Sequence, residues 1–306
     1  MQKSVLVIGS LNLDLVVHAE RIPLAGETVR GSGYDSLLGG KGANQAVAAA
    51  KLGAQVRMAG RVGSDSYGAA LLEGLDEVEV DVAGVQVTEG PSGLAVITHS
   101  SDGQNAIVVQ SGANGLVTAA DVSALEFANA GVVLLQLEIP MDAVVAAAQA
   151  SHKAGAVVIL DPAPVAALPE ELLRAVTWLT PNETEAAQLV AGSMEPRQTA
   201  ERLLAMGCRN VALKLGERGA FLMGADCEPT PVPALPVKAV DTTAAGDCFN
   251  GAFATRLLAG DSPEVAARYA NAAAAISVTR LGAQVSMPSR NEVEGLLGRS
   301  PQIPLV

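Results

Sequence analysis

The chain has 306 residues, of which 32 are acidic and 20 basic, for a formal net charge of −12 at pH 7. With 49% hydrophobic residues it is no disordered tail, and three cysteines in this length exclude a disulfide-stapled miniprotein. Scattered basic residues, never more than two in a run, argue against a nucleic-acid partner, because a phosphate backbone is gripped by clustered Lys and Arg.

Cys208, Cys227 and Cys248 show no CxxC and no Cys/His spacing suited to zinc, and fit a reducing compartment. Residues 5–8 are apolar, but the stretch is too short for a signal-peptide core and Gly9 ends it. Residues 143–160 are broken by His152 and Lys153 and fall short of the ~20 apolar residues of a membrane span. The expectation is a soluble, cytoplasmic protein without a membrane partner.

The first strand is predicted at 5–8, fully apolar and so covered on both faces. Leu13, Leu15 and Val17 then alternate with Asp14, Val16 and His18, and 27–30 reads as a further extended stretch between glycines. Residues 94–98 and 106–110 flank Ser101-Asp102-Gly103-Gln104, a hairpin signal. Together these predict a small, mostly antiparallel sheet inserted in two parts, roughly 11–38 and 92–111.

Elsewhere strand and helix alternate. Helices are expected at 44–52, 141–154, 197–206, 246–259 and 263–279, the first three stopped by Gly53, Gly155 and Gly207. Strands are expected at 56–59, 132–136, 157–160, 178–180 and 210–215. Such repetition implies an α/β domain with a mostly parallel sheet and helices on both faces, with ligands at the carboxyl ends of the strands.

The most informative segment is 241–252, Asp-Thr-Thr-Ala-Ala-Gly-Asp-Cys-Phe-Asn-Gly-Ala. Small residues open an apolar helix, so main-chain N–H groups can approach an anion, with Asp247 in the first turn. An ordinary N-cap carboxylate is the bland alternative. Residues 39–46 open a second helix with Gly39, Gly40, Lys41, Gly42, Asn44 and Gln45, but Gly42 follows Lys41 where a P-loop needs Ser or Thr. No Gly-x-Gly-x-x-Gly follows the first strand.

Asn12 and Asp14 lie two apart on an extended segment and so point one way, an amide and a carboxylate suited to sugar hydroxyls, although by themselves they read more simply as a solvated turn. Asn182 and Glu185 share a helix face, able to hold a hydrated Mg²⁺ or simply to cap the helix. Lys214, Gly216, Glu217 and Gly219 form a glycine-punctuated strand end, a nucleotide bed or a plain hairpin. His18, His99 and His152 are read as isolated structural or surface residues without metal spacing.

Taken together, these segments resemble the ribokinase family of carbohydrate and nucleoside kinases, also called PfkB-like. The matching pieces run in order along nearly the whole chain: 9–14, 26–28, 39–45, 135–140, 161–164, 180–185, 241–251 and 280–284. The resemblance implies a three-layer ribokinase-like fold, a single α/β domain over 1–306 with an inserted β lid. It implies ATP-dependent phosphorylation of D-ribose at its 5-hydroxyl, giving D-ribose 5-phosphate and ADP.

By that resemblance Asp247 is the general base, and Ala244, Ala245 and Gly246 form the anion hole for the transferring phosphoryl group. Asn12, Asp14, Gly40, Lys41, Gly42, Asn44 and Glu138 bind the pentose with Asp247. Asn182, Lys214, Gly216, Glu217, Gly219, Gly246 and Asn271 line the ATP site, and Glu185 organises Mg²⁺ through water. Asp241, Thr243, Ser277, Arg280, Gly282 and Ser286 surround a K⁺ ion, several through carbonyls. The lid implies a homodimer.

Three positions depart from the family pattern. Cys248 stands where Thr or Ser commonly follows the catalytic Asp, Lys214 where Thr is frequent, and Asp161 where Asn is frequent. The alternatives are a kinase of the same family acting on deoxyribose, another sugar or a nucleoside, and a non-catalytic sugar-binding protein on this fold.

Overall fold

A computed structural model of the chain describes residues 3–298; residues 1–2 and 299–306 lie outside it. The chain runs β1 (Ser4–Ile8), β2 (Asn12–Ala19), β3 (Gly31–Gly39), α1 (Lys41–Lys51), β4 (Val56–Gly63), α2 (Ser66–Asp76), β5 (Asp81–Thr88), β6 (Gly93–Ser100) and β7 (Asn105–Gln110). It continues α3 (Ala119–Ser123), β8 (Ala130–Leu135), α4 (Met141–Lys153), β9 (Val157–Leu160), α5 (Glu170–Ala175), β10 (Trp178–Leu179), α6 (Glu183–Leu189) and α7 (Pro196–Ala205). The last elements are β11 (Asn210–Lys214), β12 (Ala220–Gly224), β13 (Thr230–Val232), α8 (Ala245–Leu258), α9 (Pro263–Ser277) and α10 (Arg290–Gly298).

Nine strands form the main sheet in the order β13-β12-β11-β10-β9-β8-β1-β4-β5. Every pairing from β11 to β5 is parallel, and β12 and β13 extend it antiparallel. The strand period of two divides the core. Val5 and Val7 face one cluster, which takes in α1, α2, α8, α9 and α10; Leu6 and Ile8 face the other, which takes in α3 to α7. β1 is therefore buried at all five positions, as its continuous apolar run requires.

A separate four-stranded sheet, β3-β2-β6-β7, is antiparallel except between β2 and β6. The extended stretch expected at 27–30 is not a strand: its place is taken by β3, which starts at Gly31. Glu27 closes a turn instead, its carboxylate accepting from Arg21 and from the Leu24 N–H at 3.1 Å. The histidines are also not all isolated. His18 and His99 are register partners across β2 and β6, with ring centroids 5.9 Å apart, and His18 Nε2 lies 2.7 Å from Asp35.

Candidate active site

The parallel strands end at one rim, where residues after β1, β8 and β9 and at the end of β11 meet the N-termini of α1 and α8. Two helix approaches bring the site together. A β-carbon on Gly251 would stand 2.6 Å from Ala48 Cβ and 2.7 Å from the Gln45 carbonyl, so α8 presses directly on α1. A β-carbon on Gly42 would stand 2.7 Å from the Ser10 nitrogen, so α1 starts against the end of β1.

Asp247 lies in the first turn of α8, buried at 5% exposure. Its Oδ2 accepts from Asn44 Nδ2 at 3.0 Å and its Oδ1 from Gln45 Nε2 at 3.0 Å. Burial pushes its carboxyl up to about 6, with Asp161 adding to the rise and Lys41 and the two amides opposing it. Ala244 precedes the helix at φ 56°, a left-handed conformation rare for a residue with a β-carbon, and no side chain caps the helix. The Ala245 N–H donates to the Thr242 carbonyl at 3.2 Å, and the first-turn N–H groups of Gly246 and Asp247 face out of a positive helix end, which suits an incoming anion.

Asn12, Asp14, Lys41, Asn44 and Glu138 gather beside Asp247. Gly40 enters α1 at φ 87°, and a β-carbon on Gly39 would fall 2.2 Å from Asp14 Oδ2, so both glycines make room. Glu138 Oε2 accepts from Ser10 Oγ at 2.5 Å and from the Lys41 N–H at 3.1 Å. Asn12 Oδ1 accepts from Asn114 Nδ2 at 2.7 Å. Burial, reinforced by Glu138 and Asp247, pushes Asp14 up to about 7. Lys41 moves upward too, because Asp247, Asp161, Glu138 and Glu185 outweigh its burial. Asn44 Oδ1 is buried with no hydrogen-bond donor.

On the far side of Asp247, Lys214 at the end of β11 is buried and donates to Asp161 Oδ1 at 2.9 Å. Gly216 (φ 55°) and Gly219 (φ 91°) flank Glu217 in a tight turn. A β-carbon on Gly219 would meet the Val232 carbonyl at 2.1 Å. Asn182 and Glu185 form a reciprocal capping box at the start of α6. The Asn271 amide is engaged, donating to the Val232 and Pro233 carbonyls at 2.9 and 3.2 Å. It pins the segment leaving β13.

Asp241 joins two loops. Its Oδ1 accepts from the Thr243 N–H and hydroxyl at 2.9 and 2.6 Å, and its Oδ2 from the Gly282 N–H at 2.8 Å. Burial opposes ionisation, but these three donors win and lower its pKa. Ser277 and Ser286 hydroxyls donate to the Ala274 and Ala283 carbonyls, and Arg280 pairs with Glu292. Among the described residues no group of three His, Cys, Asp or Glu is placed to hold a metal ion by itself.

Sequence reasoning gave no role to Gln45, Gln136, Ser10 or Asn114. Gln45 spans the centre: Nε2 donates to Asp247 and, at 3.1 Å, to Asp161 Oδ2, while Oε1 accepts from Gln136 Nε2 at 2.7 Å. The signal for Gln45 was its place in the glycine-rich helix start, Ser10 and Gln136 lay in the matching pieces 9–14 and 135–140, and nothing local marked Asn114. Lys51, at the end of α1, donates to the Gln284 and Met287 carbonyls and ties α1 to the loop beyond Gly282.

The chain is 44% identical to the ribokinase of Bacillus subtilis, covering 96% of this chain and 99% of that protein. Its fold matches the crystal structure of Thermotoga maritima ribokinase with a TM-score of 0.90 and 38% identity over 97% of this chain and 100% of that one. It matches Arabidopsis thaliana ribokinase, solved in complex with ribose and ATP, equally well: TM-score 0.90, 38% identity, 98% and 100% coverage. The sequence profile of the pfkB family carbohydrate kinases matches residues 2–290, nearly the whole chain: the chain belongs to the pfkB family of carbohydrate kinases.

Proposed function

We propose that the protein is an ATP-dependent ribokinase, transferring the γ-phosphoryl group of ATP to the 5-hydroxyl of D-ribose to give D-ribose 5-phosphate and ADP. The observation that carries this reading is the convergence of Asn44, Gln45 and the carboxylates Asp14 and Glu138 on Asp247 at the open end of α8. Asp247 accepts the proton of the 5-hydroxyl as its oxygen attacks phosphorus. The N–H groups opened by Ala244, Ala245 and Gly246 take the charge that develops on the phosphoryl oxygens. Asn12, Asp14, Gly40, Lys41, Gly42, Asn44 and Glu138 orient the sugar. Asn182, Lys214, Gly216, Glu217, Gly219 and Asn271 form the nucleotide side.

Glu185 fits a hydrated Mg²⁺: each carboxylate oxygen accepts one bond from Asn182 and keeps a free lone pair, and its charge already reaches Lys41. Glu185 would hold the ion through water, with few protein ligands, and the ion would supply neutralisation of the phosphate charge. Asp241, held ionised between two loops by Thr243 and Gly282, would hold a K⁺ ion with Thr243, Ser277, Arg280, Gly282 and Ser286, and the ion would stiffen the approach to Ala244. The small sheet acts as a lid that keeps water from the phosphoryl group. Its Tyr34, Val96 and Val108 are exposed on one side of the sheet, an apolar face for a second copy in a homodimer. No described helix is long and apolar enough to cross a membrane, and we place the protein in the cytoplasm.

The test is ADP release with ribose, 2-deoxyribose, other pentoses, adenosine and pseudouridine, each with Mg²⁺ and K⁺. Ribose is expected to turn over best, and replacing K⁺ by Na⁺ to lower the rate. Preferred turnover of another panel member would move the substrate. Silence across the panel with sugar still bound would leave a non-catalytic sugar binder.

The pH profile follows from the two raised carboxyls. Asp247 must be ionised to accept a proton, so kcat/KM for ribose falls as pH drops below about 6. Asp14 accepts from sugar hydroxyls best as a carboxylate, so ribose affinity rises as pH climbs through about 7. Calorimetric ribose titrations between pH 5.5 and 8.5 read the second effect without turnover; affinity flat across that range would remove Asp14 from the sugar site.

A further inference from the structure

Lys214 and Asp161 form a buried ion pair at the junction of the sugar and nucleotide sides. Asp161 directly follows β9 and is 2% exposed; Lys214 ends β11 and is 9% exposed. β10, only two residues long, lies between them in the sheet, so the two side chains meet over its end. The Lys214 main chain is fixed as well, its N–H donating to the Pro181 carbonyl at 2.9 Å.

Such a pair is a poor device for stability. Desolvating two charges offsets most of their attraction, and an apolar pair of the same volume often serves a fold as well. Its position argues for another use. A β-carbon on Gly246 would stand 3.1 Å from Lys214 Nζ, so the ammonium hangs over the uncapped first turn of α8. Asp161 is held from its other side by Gln45, the same amide nitrogen that donates to Asp247. The pair thus touches both the anion-receiving helix end and, through one amide, the base.

We propose that Lys214 is a catalytic residue of the phosphoryl transfer, its ammonium leaving Asp161 to bind the transferring phosphoryl group over Gly246, with Asp161 and Gln45 as the positioning residues that store and direct it. This rests on the kinase reading above and adds to it a named cation and an exchange of partners. In the step, the bond from the sugar oxygen to phosphorus forms as the bond from phosphorus to the β–γ bridging oxygen breaks. The bridging electron pair leaves with ADP, the hydroxyl proton passes to Asp247, and Lys214 stays protonated throughout. Once the ammonium has moved, the Asp161 charge beside Gln45 is no longer balanced. Asp161 already raises the proton affinity of Asp247, so nucleotide binding would strengthen the base at the moment it is needed.

The experiment compares binding of AMP-PNP and ADP by calorimetry, with Mg²⁺, in the wild type, Lys214→Met, Asp161→Asn and the charge-balanced Lys214→Met/Asp161→Asn. The double variant leaves no buried unpaired charge and guards against misfolding of the first. The ammonium should favour the nucleotide that carries the γ group. Lys214→Met and the double variant are expected to weaken AMP-PNP about tenfold more than ADP, and to lower kcat about 100-fold, the scale of one lost anion-hole donor. Ribose affinity should stay within about threefold of wild type. Asp161→Asn is expected to tighten AMP-PNP relative to ADP, because the ammonium no longer has a carboxylate to leave. Equal losses for both nucleotides, or kcat within about threefold of wild type in the double variant, would overturn the proposal and leave the pair structural. The nucleotide comparison needs no sugar, so it stands apart from the substrate assignment, which wild-type turnover on ribose decides.

Discussion

Asp247→Asn is expected to lower kcat about 10³- to 10⁴-fold while ribose affinity stays within about threefold. The size is that of removing a general base from a transfer whose nucleophile is an alcohol. The side chain keeps its shape, and its hydrogen bonds can be remade. The amide oxygen still accepts from Gln45, and the new amide NH₂ meets Asn44 only if Asn44 turns over. That rotation brings round Asn44 Oδ1, which has no donor in the present arrangement.

Stability should move the other way. The Asp247 carboxyl is raised in the fold, so its protonated form is favoured there; the stabilisation is present at low pH and is lost as pH rises through about 6. At pH 8 the fold therefore carries a buried ionised group that the amide relieves, an effect of order 2 kcal/mol. Thermal melts at pH 3.5 and pH 8 would show a gain confined to the higher pH, because the penalty builds between the unfolded value of 3.8 and the folded value of about 6. Retained turnover would remove Asp247 from the base role. A tenfold or larger loss of ribose affinity would instead make it chiefly a sugar-binding group.

Gly251→Ala sets two effects against each other. Helix propensity alone predicts stabilisation by about 1 kcal/mol, since Gly251 lies in the interior of α8. Packing predicts the reverse. The added methyl would stand 2.6 Å from Ala48 Cβ and 2.7 Å from the Gln45 carbonyl, and neither the main chain nor a methyl can turn aside. Overpacking of this kind costs about 1–3 kcal/mol or more, and here the upper end applies, for a net loss of about 2 kcal/mol. The catalytic penalty should exceed the stability penalty in relative terms. α1 carries Asn44 and Gln45, and a displacement of about 1 Å between α1 and α8 can lower kcat about 100-fold. A melting temperature that rises with kcat preserved would show that the helices part without consequence for the site.

Much of the fold could be read from local pattern. β1, β8 and β9 are unbroken apolar runs, and Gly53, Gly155 and Gly207 each follow a helix by one or two residues. The elements that escaped lack those marks. β5 is an edge strand that mixes exposed and half-buried residues and contains Gly84. β12 and β13 are short and antiparallel, β12 ending at Gly224 and β13 carrying Pro231 at its centre. α2 is announced only by Asp65, which accepts from the Gly68 N–H, before Ser-Tyr-Gly, a weak helical opening.

The site divides the same way. Asp247, Asn12 and Asp14 stand out because each sits in a short stretch whose chemistry is local. The link from Lys214 through Asp161 and Gln45 to Asp247 spans separations of 53, 116 and 202 residues. No periodicity or spacing encodes contacts made only when distant strand ends are brought to one rim.

The ring of carboxylates around the two site lysines bears on how the nucleotide arrives. Lys41 is surrounded by Asp247, Asp161, Glu138 and Glu185, and Lys214 is neutralised by Asp161. Neither cation projects a field outward, and the chain as a whole carries −12. An anionic nucleotide therefore meets net repulsion until it is within a few ångströms, where helix-end N–H groups and a freed ammonium take over. Capture depends on short-range fit, and added salt, by screening the approach, should speed encounter rather than slow it.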